Sequence, residues 1–119
     1  MNGRYLLDTN IVIAIFADEA AVHQKLAGVA EVFVPSVVLG ELYYGAQKSA
    51  RIASNVERVD EFAANNTVLA GDAETARQYG QIKSELRAKG RPIPENDIWI
   101  EAVAKQYQLT LGNAGWAFQ

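Results

Sequence analysis

Cysteine is absent from the 119-residue sequence, so disulfide frameworks and thiolate metal sites are excluded. Proline occurs only three times, and no apolar run approaches the roughly 20 residues that cross a bilayer. The apolar segment near the N-terminus is interrupted at Asp8, which is unlike a signal peptide. The sequence therefore predicts a cytoplasmic protein without membrane segments.

Positive charge is also in the minority, with 11 Lys and Arg residues against 14 Asp and Glu residues and a net charge of −3. This balance argues against a protein that coats nucleic acid through bulk positive charge. It leaves open a nucleic-acid enzyme, because a carboxylate-lined metal site is itself negative. Half of the residues are hydrophobic, and the length fits a single domain, 1–119.

Four short apolar runs predict β-strands at residues 5–7, 32–34, 67–69 and 109–111. Segments with helical periodicity separate these runs. The alternation predicts an α/β fold of three layers, α/β/α, with a short and mainly parallel central sheet.

The predicted helices cover residues 37–47, 50–66, 73–90 and 97–107, and 11–16 is either a helix or a second buried segment. Ser36, Asp72 and Asn96 are predicted as N-caps of the helices that follow them. Gly90 occupies the position where a left-handed residue commonly ends a helix.

Three acids fall next to predicted strand ends or helix starts. Asp8 follows the first strand, Glu41 lies in the first two turns of the helix after the second strand, and Asp97 opens the last helix. Ligands of parallel sheets bind beyond the carboxyl ends of the strands, so the three acids could lie together at that edge of the sheet. Taken singly, Glu41 is better explained by an exposed helix face and Asp97 by the dipole of its helix.

Clustered carboxylates repel one another unless protons or cations lie between them. Oxygen ligands suit Mg²⁺ or Mn²⁺, and such ions activate water and stabilise a leaving oxygen. The pattern therefore points to phosphodiester hydrolysis. Asp8 could instead accept a phosphoryl group, as aspartates after a first strand do in response receivers, although the accompanying acids of those proteins are missing here.

The segments LLDTNIVI, PSVVLGELYYGA and RPIPENDIWIEAVA resemble the motifs of PIN-domain ribonucleases, specifically the VapC toxins of bacterial toxin–antitoxin pairs. The resemblance extends from about residue 5 to residue 111 in order and spacing. It implies a three-layer fold, an endoribonuclease dependent on Mg²⁺ or Mn²⁺ that acts on RNA, homodimerisation, and inhibition by a VapB-like antitoxin.

The resemblance also assigns roles to residues. It implies that Asp8 is a central metal ligand, that Glu41 and Asp97 complete the acidic site, and that Thr9 and Asn10 orient the first carboxylate.

The family pattern continues with a hydroxyl residue and a fourth acid. Here Asn113 and Gly115 occupy those positions, with Asn113 as a supporting residue. Glu101, one turn after Asp97, could substitute for the missing acid, although an exposed pairing with Lys105 explains it better. The change leaves two hypotheses, a weakened nuclease and a catalytically silent domain that still binds RNA or an antitoxin.

A basic run precedes the last acid and consists of Lys83, Arg87, Lys89 and Arg91. These residues could contact RNA phosphates beside the acidic centre. A solvated helix face with a C-terminal charge that complements the dipole explains them equally well.

Overall fold

Four parallel strands form the sheet in the computed structural model, which describes residues 3–28 and 31–112. The strands are β1 (Arg4–Leu7), β2 (Glu31–Pro35), β3 (Thr67–Leu69) and β4 (Thr110–Gly112). Their order is β3-β2-β1-β4, and Leu6 of β1 pairs with Phe33 of β2 on one side and with Leu111 of β4 on the other. The predicted α/β fold with a short parallel sheet is confirmed.

Two helices connect each strand to the next strand in sequence. They are α1 (Thr9–Phe16) and α2 (Ala20–Ala27), α3 (Ser36–Gln47) and α4 (Ile52–Ala64), and α5 (Ala73–Ala88) and α6 (Glu95–Gln106). Parallel strands require such crossovers, and the helices cover the sheet as its outer layers. Within the two described ranges, every helix is too short or too polar to cross a lipid bilayer.

Two of the predicted helix ends are confirmed. Asp72 caps α5, since its carboxylate accepts a hydrogen bond from the Thr75 backbone N–H at 3.1 Å and the Thr75 hydroxyl accepts one from the Asp72 N–H at 3.0 Å. Gly90 follows the C-cap of the same helix with φ of 64°, a conformation that glycine adopts without steric cost.

Two other caps were predicted wrongly. Ser36 and Asn96 lie inside α3 and α6, and the residues at the N-cap positions are Pro35 and Pro94. Each proline holds an extended backbone, and the Pro94 carbonyl already accepts hydrogen bonds from the first turn of α6. The helices therefore begin directly after proline, without a side-chain cap.

The core is divided into a main cluster and a smaller one. Leu6 and Leu7 of β1 are fully buried and pack with Ile11 and Val12 of α1, so the strand that precedes Asp8 lies at the centre of the molecule. A separate cluster joins α5 and α6 through Ile82, Ile98 and Ala102. The first turn of α6 is thus fixed by its own contacts with α5.

Shortening Leu6 to alanine should destabilise the protein by about 2–5 kcal/mol, because this side chain is fully buried and its removal leaves a cavity in the main core. The matched change Ile52→Ala removes an aliphatic side chain that is 45% exposed and should cost about 0.5 kcal/mol or less. Urea unfolding of both variants measures the difference. Equal losses would contradict the central position of β1.

Candidate active site

Asp8 lies directly after β1, where the order of the strands reverses between β1 and β4. Its backbone N–H donates a hydrogen bond to the Gly112 carbonyl at 3.1 Å, which ties it to the end of β4. Its side chain accepts a hydrogen bond from the Ile11 backbone N–H at 3.0 Å and so caps α1. Such reversal points are where open parallel sheets bind ligands, and the carboxylate is held there by two elements.

Glu41 reaches the same place from α3. Its Oε1 accepts a hydrogen bond of 2.8 Å from the Thr9 hydroxyl, across 32 residues of sequence. The contact shows that Glu41 faces the end of β1, so the alternative of a free surface glutamate does not apply. Thr9 thus positions Glu41 through its hydroxyl, whereas Asn10 is exposed and approaches Asp8 through its backbone N–H.

Asp97, the third acid, acts on Asp8 through its charge. Burial raises the pKa of Asp8, the charges of Asp97 and Glu41 raise it further, and the backbone N–H groups of Ile11 and Asn10 oppose the rise. Asp97 itself is exposed in the first turn of α6, and its backbone N–H donates to the Pro94 carbonyl at 3.0 Å. Glu41 and Asp97 therefore both lie within electrostatic range of Asp8.

The donor chemistry of these residues fits a hard divalent cation. All three side chains offer carboxylate oxygens, and their mutual repulsion would be relieved by a positive ion. However, across residues 3–28 and 31–112 no three Asp, Glu, His or Cys side chains lie close enough together to hold a metal ion. Binding a metal would require the carboxylates to close on the ion.

A polar network that the sequence did not reveal holds the start of α6 on α5. Lys83 Nζ lies 2.6 Å from Glu95 Oε1 and donates to the Tyr79 hydroxyl at 3.0 Å, and Tyr79 donates to Glu95. Trp99 stacks on Tyr79 with ring centroids 4.1 Å apart and an interplanar angle of 12°. Lys83, predicted as an RNA contact, is thus in an ion pair, while Arg87 and Arg91 are exposed.

Three further residues were considered from the sequence as parts of the site. Glu101 lines a different cavity, with Lys89 and Lys105, and is not among the charges that act on Asp8. The structure thus gives no support to Glu101 as a replacement acid. Asn113 and Gly115 lie outside the described residues, so their predicted places are not observed.

The family model of the PIN domain matches residues 5–112. The chain belongs to the PIN-domain family. Ribonuclease VapC2 of Haemophilus influenzae is 37% identical over 112 residues, which cover 91% of this chain and 83% of that protein. The tRNA(fMet)-specific endonuclease VapC of Shigella flexneri is 34% identical over 110 residues, with the same coverage of 91% and 83%.

Solved structures of PIN-domain proteins share the fold. VapBC2 from Rickettsia felis, bound to a DNA fragment from its promoter, matches with a TM-score of 0.81 and 27% identity over 92% of this chain and 98% of that chain. DNA-bound VapBC from Salmonella typhimurium matches with a TM-score of 0.80 and 25% identity over 95% and 98%. The three-layer architecture and the predicted resemblance to VapC proteins are confirmed.

Asp8→Asn should stabilise the metal-free protein near neutral pH. Because folding raises the pKa of Asp8, its contribution to the free energy of unfolding is most favourable below about pH 3.9, the pKa of an unfolded aspartate, and falls as the pH rises through the folded-state pKa. Asparagine keeps an oxygen for the Ile11 N–H but cannot ionise. Urea unfolding in EDTA across this pH range measures the effect.

The quantity to compare at each pH is the difference in the free energy of unfolding between wild type and variant, since the other acids titrate equally in both. The variant should gain stability relative to wild type as the pH rises. A difference that stays constant with pH would show that Asp8 is not held in a charge-disfavouring environment.

Proposed function

We propose that this chain is a metal-dependent endoribonuclease of the VapC type that hydrolyses RNA phosphodiester bonds. The position of Asp8 directly after β1 carries the proposal, because it lies at the ligand-binding edge of the sheet and the charges of Glu41 and Asp97 are close enough to raise its pKa. Family membership and the ribonuclease names of the relatives support it.

In this proposal Asp8, Glu41 and Asp97 hold Mg²⁺ or Mn²⁺. The bound ion would supply an activated water and neutralise charge at the scissile phosphate. The chain itself contributes the positions of the donors. The α1 N-terminus fixes the Asp8 carboxylate through the Ile11 N–H, and the Thr9 hydroxyl holds one oxygen of Glu41. The carboxylates of Asp8 and Glu41 are thereby oriented before any ion binds, whereas Asp97 would have to approach them.

We propose a VapB-like antitoxin and a second copy of the chain as protein partners. Several solved structures with this fold are VapBC complexes, which supports an antitoxin partner. The described surface also exposes large apolar side chains, among them Ile13 at 51% and Tyr44 at 65%. Ile13 lines a cavity of about 210 Å³ together with Thr9 and Glu41, so a partner segment there would lie against the acidic site.

The second candidate function is a silent PIN domain that binds RNA or an antitoxin without cleaving RNA. Two observations favour it. Gly115 stands where the resemblance implies a fourth acid, and the described acids do not form a finished ligand shell. A missing carboxylate that positions water typically lowers a rate by about 10²- to 10⁴-fold, which binding would survive.

Cleavage of a structured RNA pool should require Mn²⁺ or Mg²⁺ and stop in EDTA. Asp8→Asn, Glu41→Gln and Asp97→Asn should each lower the rate by more than the roughly 10- to 100-fold that changes around a metal ligand cause. Glu101→Gln makes the same neutralising change one turn after Asp97, on an exposed acid, and should leave the rate within about twofold.

Cleavage that persists in EDTA, or that is equally slow in all four variants, would contradict the proposed site. If wild type does not cleave, Gly115→Asp separates the two candidates. Activity that returns in this variant would show a nuclease disabled at one acid. Inactivity in both, with RNA or antitoxin binding retained, would establish the silent domain.

If Arg87 and Arg91 each contact one phosphate, Arg87→Gln and Arg91→Gln should each reduce the slope of log K against log salt concentration by about 0.7, the value for one contact with a single strand. Lys83→Gln should change the salt dependence less, because the Lys83 ammonium group is engaged with Glu95 and Tyr79. Binding of an unpaired RNA in EDTA at several salt concentrations gives the slopes. Equal slopes for wild type and both arginine variants would exclude these arginines as phosphate contacts.

A further inference from the structure

A second opening lies at the carboxyl end of the sheet, on the β2 and β3 side of the acids. It is a cavity of about 370 Å³ between the end of β2, the loop after β3 and the first turns of α3 and α6. Thr75 and Val103 form a buried part of its wall, and Ser36, Asn96 and Trp99 provide polar and aromatic surface. Its volume falls within the roughly 300–1,000 Å³ of small-ligand pockets.

The cavity adjoins the acidic site through two shared helices. Asn96 directly precedes Asp97 in the first turn of α6, and Ser36 opens α3, which carries Glu41 in its second turn. A molecule in the cavity would therefore be in contact with the same two helix starts that present the acids. This arrangement suits a substrate that extends from the cavity to the acids.

The polar groups that line the cavity are available for a ligand. The side chains of Ser36 and Asn96 and the indole of Trp99 form no hydrogen bond with any described residue. By contrast, the Thr75 hydroxyl is used by Asp72 and Gln106. One face of Trp99 is covered by Tyr79, so the part of the indole that lines the cavity is its opposite face or its edge.

These features match the way proteins bind unpaired RNA. Single-stranded RNA is recognised by stacking of bases on aromatic rings and by hydrogen bonds to base edges, and an asparagine amide offers both a donor and an acceptor. We propose that this cavity binds one nucleobase of a single-stranded RNA, with Trp99 against the base and Asn96 and Ser36 at its polar edge. The proposal rests on the proposed function, since it places the adjoining phosphate at the acids.

Filling the cavity provides the test. A Cβ at Gly71 would meet Thr75 at 3.8 Å, an ordinary contact, so the backbone tolerates a side chain there and a leucine is expected to extend into the cavity. Gly80→Leu is the matched control, because Gly80 lies on α5 with no atom within 4 Å of its added Cβ. Asn96→Ala removes the amide at an exposed position where folding should be preserved.

Binding is measured on full-length protein in EDTA with unpaired RNA octamers of each base. A Trp116→Phe background leaves Trp99 as the single tryptophan, so quenching of its fluorescence reports contact with a base. We expect Gly71→Leu to weaken binding by about tenfold or more, the size of one base–aromatic stack. Asn96→Ala should weaken it by about two- to tenfold, the size of one net hydrogen bond, and Gly80→Leu should bind as wild type. Asn96→Ala should also reduce the preference among the four bases. Melting temperatures identify any variant that fails to fold. Asn96→Ala and Gly71→Leu test the pocket independently, so one folded variant is enough for the test.

The outcomes separate this proposal from the nuclease proposal. Suppose that cleavage depends on metal but binding, quenching and base preference are unchanged in both variants. That result would overturn the nucleobase pocket and still support the nuclease proposal. Loss of binding in both variants with no cleavage by wild type would support the pocket in a silent domain. RNA binding that does not quench Trp99 would also overturn the pocket.

Discussion

The structure of the site depends on one unfavourable interaction, the confinement of the Asp8 carboxylate at the end of a fully buried strand and near two other acids. Burial and the charges of Glu41 and Asp97 oppose its ionisation. Only the N–H groups at the start of α1 offset this cost within the described residues. A cation at this point would turn the repulsion into attraction, so the same arrangement that disfavours the free carboxylates favours ion binding.

The fold and the position of the acids could be predicted because both depend on local patterns. Short apolar runs identify strands whatever their partners, and an acid that directly follows such a run lies at the carboxyl end of the sheet. Asp8 was placed in this way, and Asp97 was placed by its position at the predicted start of the last helix. The N-caps at Ser36 and Asn96 were predicted wrongly because a preceding proline, with its extended backbone, can start a helix without a side-chain cap.

The contacts that orient the site could not be predicted from local patterns. Thr9 and Glu41 are 32 residues apart, and no spacing rule links them. Lys83 and Glu95 are separated by a loop, so only the packing of α5 against α6 brings them together, and charge alone suggested an RNA contact for this lysine. Residues that act through tertiary partners have no signature in a single sequence, whereas residues that act through their place on a strand do.

The packing of α5 on α6 connects the proposed base cavity with the turn that carries Asp97. The Tyr79 ring stacks on Trp99 at the wall of the cavity, and its hydroxyl joins the ion pair at Glu95, two residues before Asp97. A base stacked in the cavity would therefore press on the same aromatic pair that fixes the start of α6. Since Asp97 lies in that turn, the proposed base site and one of the acids depend on the same contacts between α5 and α6.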